Sequence, residues 1–219
     1  FMKKLLLFLL FIPFLGFSQT VNEVDANGLK QGVWEKTFDN GNLRYKGQFK
    51  NNNAHGIFMY YYDSGELQAE KEFFHLGEAA ATHIFYKNGK LKAAGIYVNE
   101  LKDSTWNYFS ADSVLIMSEQ YQKGKLNGVT KTFYNSGELY EIKNWHQGVE
   151  NGSWIQYFIK GTTKMETLIY NGVREGKIAY YFPSGKVYYT GSYLAGGKSG
   201  IWEYFTEEGV SDTLINYNE

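Results

Sequence analysis

Six glycines, Gly32, Gly56, Gly128, Gly152, Gly176 and Gly200, fall on one 24-residue grid, and Ala80 and Ser104 occupy its two remaining points. Nine residues after each grid point runs a second series, Gly41, Gly65, Gly89, Gly137, Gly161, Gly185 and Gly209, interrupted only by Ser113. Self-similarity at this period marks a repeat array, in which each unit buries apolar surface against its neighbours rather than in a core of its own. Eight such units account for most of the 219 residues. The chain therefore reads as one elongated body over 32–219, with 19–31 as a lead-in that caps the first unit.

With each grid residue as position 0, position 2 is Trp34, Phe58, Thr82, Trp106, Thr130, Trp154, Ile178 and Trp202. Position 17 is Phe49, Phe73, Tyr97, Tyr121, Trp145, Ile169, Tyr193 and Tyr217. Between these columns, positions 7 to 9 carry turn chemistry such as Asp39-Asn40-Gly41 and Asp63-Ser64-Gly65, where glycine supplies the positive φ of a tight hairpin. Leu43, Tyr45, Gly47 and Phe49 alternate with Arg44, Lys46 and Gln48, the period-two signature of a half-buried strand. A content of 18% aromatic residues with only 2 prolines favours pleated sheet over disorder or a helix bundle.

The expected fold is all-β: a single elongated, twisted antiparallel sheet of eight 24-residue hairpins. Its sixteen strands would span about 75 Å at ~4.8 Å each. With positions 8 and 9 as the two central turn residues, partner positions sum to 17, and position 6 faces the leucine column Leu43, Leu67, Leu91, Leu115 and Leu139. The same pairing sets the position-17 aromatics across from the position-0 glycines and Trp34 across from Gly47, so that rings cover bare backbone. Six-residue segments such as Lys50 to His55, rich in Gly, Asn and Lys, read as exposed loops between units.

Position 5 forms an aromatic stripe, Tyr61, Phe85, Phe109, Phe133, Tyr157, Tyr181 and Phe205, missing only at Thr37. By alternation it faces away from position 2, with rings about 9.6 Å apart. Cross-strand partners at position 12, including Arg44, Gln68, Lys92 and Lys164, would lay their stems over it. The stripe reads either as self-covering sheet packing or as a contact platform, because aromatic surface in register marks recognition sites.

Met2, Lys3 and Lys4 before the apolar run Leu5 to Phe17, then Ser18, have the pattern of a signal peptide over 1–18, too short for an ordinary membrane span. The expected location is therefore extracytoplasmic, periplasmic or secreted. The chain has no cysteine, which excludes disulfides and thiol catalysis. A net charge of −1, or −3 without Lys3 and Lys4, lacks the basic footprint of nucleic-acid binding or of anionic membranes.

Catalytic chemistry is not apparent. His55, His75, His83 and His146 fall at different repeat positions without convergent ligands, so neither a metal nor another cofactor is expected. Gly197-Lys198-Ser199 ends like a phosphate loop, but Ser192 stands where that motif needs its first glycine. Glu207 and Glu208 sit at a hairpin tip, without the cleft that a catalytic carboxylate pair requires.

The run Tyr189-Thr-Gly191-Ser-Tyr193-Leu-Ala-Gly196-Gly-Lys-Ser-Gly200 resembles the MORN repeat, Tyr-x-Gly-x-Phe/Tyr-x-x-Gly-x-x-x-Gly. The longer form Gly-x-Trp-x-x-x-Phe/Tyr-x-x-Gly-x-Leu, as in Gly32 to Leu43, resembles the bacterial MORN-variant repeat, often labelled an antitoxin component. The resemblance covers Gly28 to the C-terminus. It departs in the middle, where Ala80, Ser104 and Ser113 replace glycines and Thr82 replaces the tryptophan column. The resemblance implies a rigid platform for protein or lipid contacts. The leading expectation is a non-catalytic protein-binding scaffold of the cell envelope, with oligomers through exposed edge strands among its contacts. A toxin-neutralising antitoxin or immunity protein, and a glycan-binding module, stand as the alternatives.

Overall fold

A computed structural model of the chain describes residues 20–218. The segment read as a signal peptide, with its cleavage point, lies outside them. Eight hairpins follow one another: β2 (Lys30–Thr37) and β3 (Leu43–Lys50), β4 (Asn53–Tyr61) and β5 (Leu67–Phe74), β6 (Ala79–Phe85) and β7 (Leu91–Val98), β8 (Leu101–Phe109) and β9 (Leu115–Gln122). The second half repeats this with β10 (Lys125–Phe133) and β11 (Leu139–His146), β12 (Val149–Tyr157) and β13 (Thr163–Tyr170), β14 (Val173–Tyr181) and β15 (Val187–Leu194), β16 (Gly197–Phe205) and β17 (Ser211–Asn216). Every ladder is antiparallel and joins neighbours in sequence, giving one open 17-stranded sheet. The seventeenth strand is β1 (Glu23–Val24), in the lead-in, which pairs with β2. Just before it, the Asn22 N–H donates to the Val33 carbonyl at 2.9 Å, so the lead-in lies along the first edge.

Within each unit the expected register holds from position 0 to position 4, as in Gly32 opposite Phe49 and Trp34 opposite Gly47. Nearer the turn it does not. The Phe38 N–H donates to the Asn42 carbonyl and the Gly41 N–H to the Phe38 carbonyl, each at about 2.9 Å. This closes a three-residue loop, Asp39 to Gly41, in which glycine alone takes positive φ, at 85°. A two-residue type I′ turn would need positive φ at both central positions, and Asn40 does not adopt it. Leu43 therefore pairs with Thr37 rather than Phe38, and Arg44 is squeezed out of the ladder as a bulge. The same shift recurs in every hairpin.

The links between units are shorter than the sequence suggests. Lys50 pairs with Asn53 across only Asn51 and Asn52, both at positive φ (51° and 66°), the geometry of a type I′ turn. The residues read as the rest of the loop are strand. Position 0 makes this possible: Gly56, at φ 66°, places two extra residues on β4 between the pairs Lys46–Met59 and Gln48–His55. A Cβ added at Gly32, Gly56, Gly176 or Gly200 would meet no atom within 4 Å, so it is the torsion and not the space that selects glycine. The position-17 rings consequently do not cover these glycines, contrary to expectation.

The two grid breaks resolve differently. Ser104 keeps the bulge by adopting φ 58° itself. Ala80 does not: β5 and β6 pair without a shift from Ala69–Ile84 to Phe74–Ala79, and the link lengthens to His75–Glu78, with His75, Leu76 and Gly77 all at positive φ. Two residues have moved from strand into link, and the 24-residue period survives.

A single layer has no second sheet to bury against, so its core lies within one face. Apart from Val33 and Ala79, the buried side chains all sit at positions 0, 2, 13, 15 and 17. Along the row formed by positions 2 and 15, several residues compensate one another across the ladder between units, although Trp154 faces Lys143. Phe58, Trp106 and Trp202 lie over Gly47, Gly95 and Gly191 of the preceding units, where an added Cβ would overlap the ring. The ring covering Gly47 is thus Phe58 of the next unit, whereas Trp34, its ladder partner, meets Phe49 edge-on at 5.8 Å. Where position 2 is Thr82 or Thr130, position 15 carries the long side chain of Lys71 or Glu119.

Replacing Ser104 by Gly should raise stability by about 1 kcal/mol, because an L-residue at left-handed φ costs roughly 1–2 kcal/mol. Ala80→Gly should lower it by about 1 kcal/mol, since glycine is unfavourable in a regular strand. Urea denaturation checks both signs. Gly95→Ala should destabilise by about 1–3 kcal/mol through overpacking against Trp106, read in the same way.

Candidate functional site

The stripe residues Tyr61, Phe85, Phe109, Phe133, Tyr157, Tyr181 and Phe205 are all half-buried. They lie on the face opposite the ring-filled row and pair across the hairpin with position 11, as Tyr61 does with Leu67 and Phe85 with Leu91. Among the aromatic contacts of the described residues none joins two stripe rings. Position 12 does not supply their cross-strand partners. The Arg44, Lys92 and Lys164 cations instead lie 5.6–5.9 Å from the position-6 rings of Phe38, Tyr86 and Phe158.

Position 6, expected to face the leucine column of position 11, instead anchors the stripe. Tyr62, Tyr86 and Tyr134 each donate a hydroxyl hydrogen bond of 2.8 Å to the backbone carbonyl of the next unit's stripe residue, Phe85, Phe109 and Tyr157. Each tie fixes one ring's backbone from the neighbouring hairpin. A column of aromatics at position 6 is visible in the sequence, but the partner of its hydroxyls emerges only from the folded sheet.

Across β12–β16 the stripe face holds a concavity of about 550 Å³. Ile155, Leu168, Ala179 and Ile201 supply its apolar walls, while Glu166 and Lys177 supply the charge. Leu168 and Ile201, from the sixth and eighth units, are 53% and 64% exposed and leave apolar surface open to solvent there. Ile155 and Ala179 stand two residues before Tyr157 and Tyr181, so stripe and groove are continuous on one face. The groove belongs to no repeat column, since it arises where positions 1, 3 and 16 happen to be apolar in adjoining units.

Tyr181 donates a hydrogen bond to Glu166 at the groove. Burial, then the hydrogen bond and charge of Glu166, push its phenol up to about 12, because each disfavours the phenolate. Ultraviolet titration should find Tyr181 and Tyr121 both ionising near 12, and Glu166→Gln should move the Tyr181 transition alone toward the ordinary tyrosine range.

On the other face a second device escaped the sequence reading. The residue two before the grid point is a cation in several units and sits over a position-2 ring and a position-17 ring together. Lys30 lies over Trp34 and Phe49 at 4.6 and 4.8 Å, Lys102 over Trp106 and Tyr121 at 4.9 and 5.0 Å, and Lys198 over Trp202 and Tyr217 at 4.2 and 4.9 Å. Trp154 is clasped by Lys143 and Arg174, with Lys143 also paired to Glu150 at 2.8 Å. These contacts roof the rings and leave the tryptophan columns structural in character.

Among the described residues no group of three or more His, Cys, Asp or Glu side chains could hold a metal ion. No described helix is long and apolar enough to cross a membrane. The family model for the MORN repeat variant matches at residues 30–51, 54–75, 126–147 and 174–195. The chain thus contains four matched MORN-variant repeats, and each matched segment coincides with one hairpin. Repeats of this family are non-enzymatic binding modules. No curated protein matches the chain. Among solved structures, the crystal structure of TarM aligns over 40% of this chain and 17% of its own length, at 13% identity and a TM-score of 0.31. The wild-type TCP10 domain of Danio rerio CPAP, in complex with a peptide of Danio rerio STIL, aligns over 84% and 99%, at 16% identity and a TM-score of 0.16. Neither similarity bears on function.

Proposed function

We propose that this chain is a non-catalytic protein-binding scaffold of the bacterial cell envelope, and that it takes its partner on the stripe face. The observation carrying this reading is the groove of Ile155, Leu168, Ala179 and Ile201 beside Tyr157 and Tyr181. Nearly all fully buried side chains belong to the other face, which is already covered by its own cations. The stripe face keeps branched aliphatics exposed around a concavity, the usual character of an interaction surface. Lys3 and Lys4 before the apolar run from Leu5 support an envelope location.

Crosslinking in intact cells, followed by capture from the envelope fraction, tests the reading with wild type and with Tyr157→Ser/Tyr181→Ser. The wild type should retain a defined protein that the double variant loses, while both show the same β-sheet circular dichroism and thermal unfolding. A folded double variant that keeps every partner would make the stripe a packing feature.

A further inference from the structure

Lys36 and Arg44 occupy positions 4 and 12 of the first unit, and no other unit has a cation at both. Six units further on, the equivalent residues are Tyr180 and Tyr188. There, four tyrosines close upon one another: Tyr180 stacks on Tyr189 at 5.3 Å, and Tyr188 meets Tyr180 and Tyr204 edge-on at 6.3 and 6.2 Å. The counterparts of Tyr189 and Tyr204 are retained as Tyr45 in the first unit and Tyr60 in the second, 6.1 Å apart and flanking Phe58 at 6.4 and 6.3 Å. An ammonium and a guanidinium replace the other two rings, and the cluster opens into a concavity of about 660 Å³.

Both cations are unspent. Among the described residues neither Lys36 nor Arg44 takes part in an ion pair, and the Arg44 guanidinium has only the Phe38 ring, at 5.8 Å. The single carboxylate in the lining, Asp63, is within 3.8 Å of Lys87. The Tyr45 and Tyr60 hydroxyls donate to no acceptor among the described residues, whereas Tyr62 is committed to the Phe85 carbonyl. Burial, with Tyr45 alongside, holds the Tyr60 phenol above its ordinary value, so it remains a donor.

We propose that this concavity binds an acidic sugar of an anionic polysaccharide. Lys36, Arg44 and the free phenols would meet the carboxylate, and Tyr45 and Tyr60 would meet the apolar face of the pyranose ring. Two cations with hydroxyl donors suit an oxyanion, with the guanidinium offering a planar fork. An aromatic floor adds a preference for a ligand with a flat apolar face over a bare ion. The site lies at the turn edge of the ring-covered face and draws only Tyr61 from the stripe, so it stands apart from the protein-binding groove.

The repeat itself supplies the control variant. Lys36→Tyr/Arg44→Tyr recreates the packing the sheet already holds around Tyr180 and Tyr188, so the fold should survive, as checked by thermal unfolding. Isothermal titration with trigalacturonate should show binding to wild type that weakens with added salt. It should be at least about ten-fold tighter than for maltotriose, and about ten-fold weaker in the double variant, the size of effect expected for losing a small charged contact set. Absence of trigalacturonate binding, or equal binding by the double variant, would overturn the proposal. So would inorganic phosphate binding as tightly as the sugar, or binding to phosphatidylglycerol vesicles in its place.

Discussion

A sheet of one layer must dry its own rings. Trp106 is fully buried with no second sheet above it, because Gly95 leaves the backbone bare beneath, Tyr97 meets it edge-on at 4.8 Å and the Lys102 ammonium lies 4.9 Å above. Removing a tryptophan from water is worth on the order of 4–6 kcal/mol, so these contacts are where the array gathers its stability. Phe58, Trp106 and Trp202 each lie over a glycine of the preceding unit, and Thr82 and Thr130 face the long side chains of Lys71 and Glu119. Trp154, which faces Lys143, is covered by that cation and Arg174 instead. One face is thereby consumed by packing, which leaves the other free to keep aliphatic side chains exposed.

The second constraint is torsional. The glycine at position 0 bends each unit's first strand through a two-residue bulge, and that bulge permits a two-residue turn between units. The links are then bonded back onto the sheet. In four units the turn's first N–H is taken by the side chain just before the grid point, as Asp103 accepts from Lys123 at 3.1 Å and Glu175 from Ala195 at 2.8 Å. The same turns donate to backbone, with Gly124 bonded to the Lys102 carbonyl at 2.8 Å. The edge of the sheet is thus a bonded rail of turns, and the tyrosine ties from position 6 bind the other side.

Much of this was legible in the residues. The period, the hairpins, the pairing of Gly32 with Phe49 and the two faces all follow from glycine spacing and alternation, because those signals are local and repeated eight times. The turn misled, since Asp-Asn-Gly suits both a two-residue and a three-residue loop, and only the torsion of Asn40 decides between them. The links misled in a related way: Asn53 to His55 look like loop by composition, yet the Gly56 bulge lets them pair. The groove had no columnar signal at all, because Ile155, Leu168 and Ile201 stand at three different repeat positions, the first two in one unit and the third two units on. The cationic roof over the tryptophans was invisible for another reason. Lys30, Lys102 and Lys198 look like surface charge until the twist brings each over two rings.

The two solutions at the grid breaks have a bearing on how such a chain can change over evolutionary time. Whether a unit spends two residues on a bulge, as Gly56 does, or on a longer link, as His75–Glu78 does, its length in sequence is the same. A duplicated or deleted block of 24 residues would therefore leave every remaining hairpin in frame with its neighbour, whichever solution the block contained. Copy number and link chemistry become independent variables. The sheet can lengthen by recombination while individual links diverge, so local specialisations such as the Lys36–Arg44 concavity can arise without disturbing the register of the units around them.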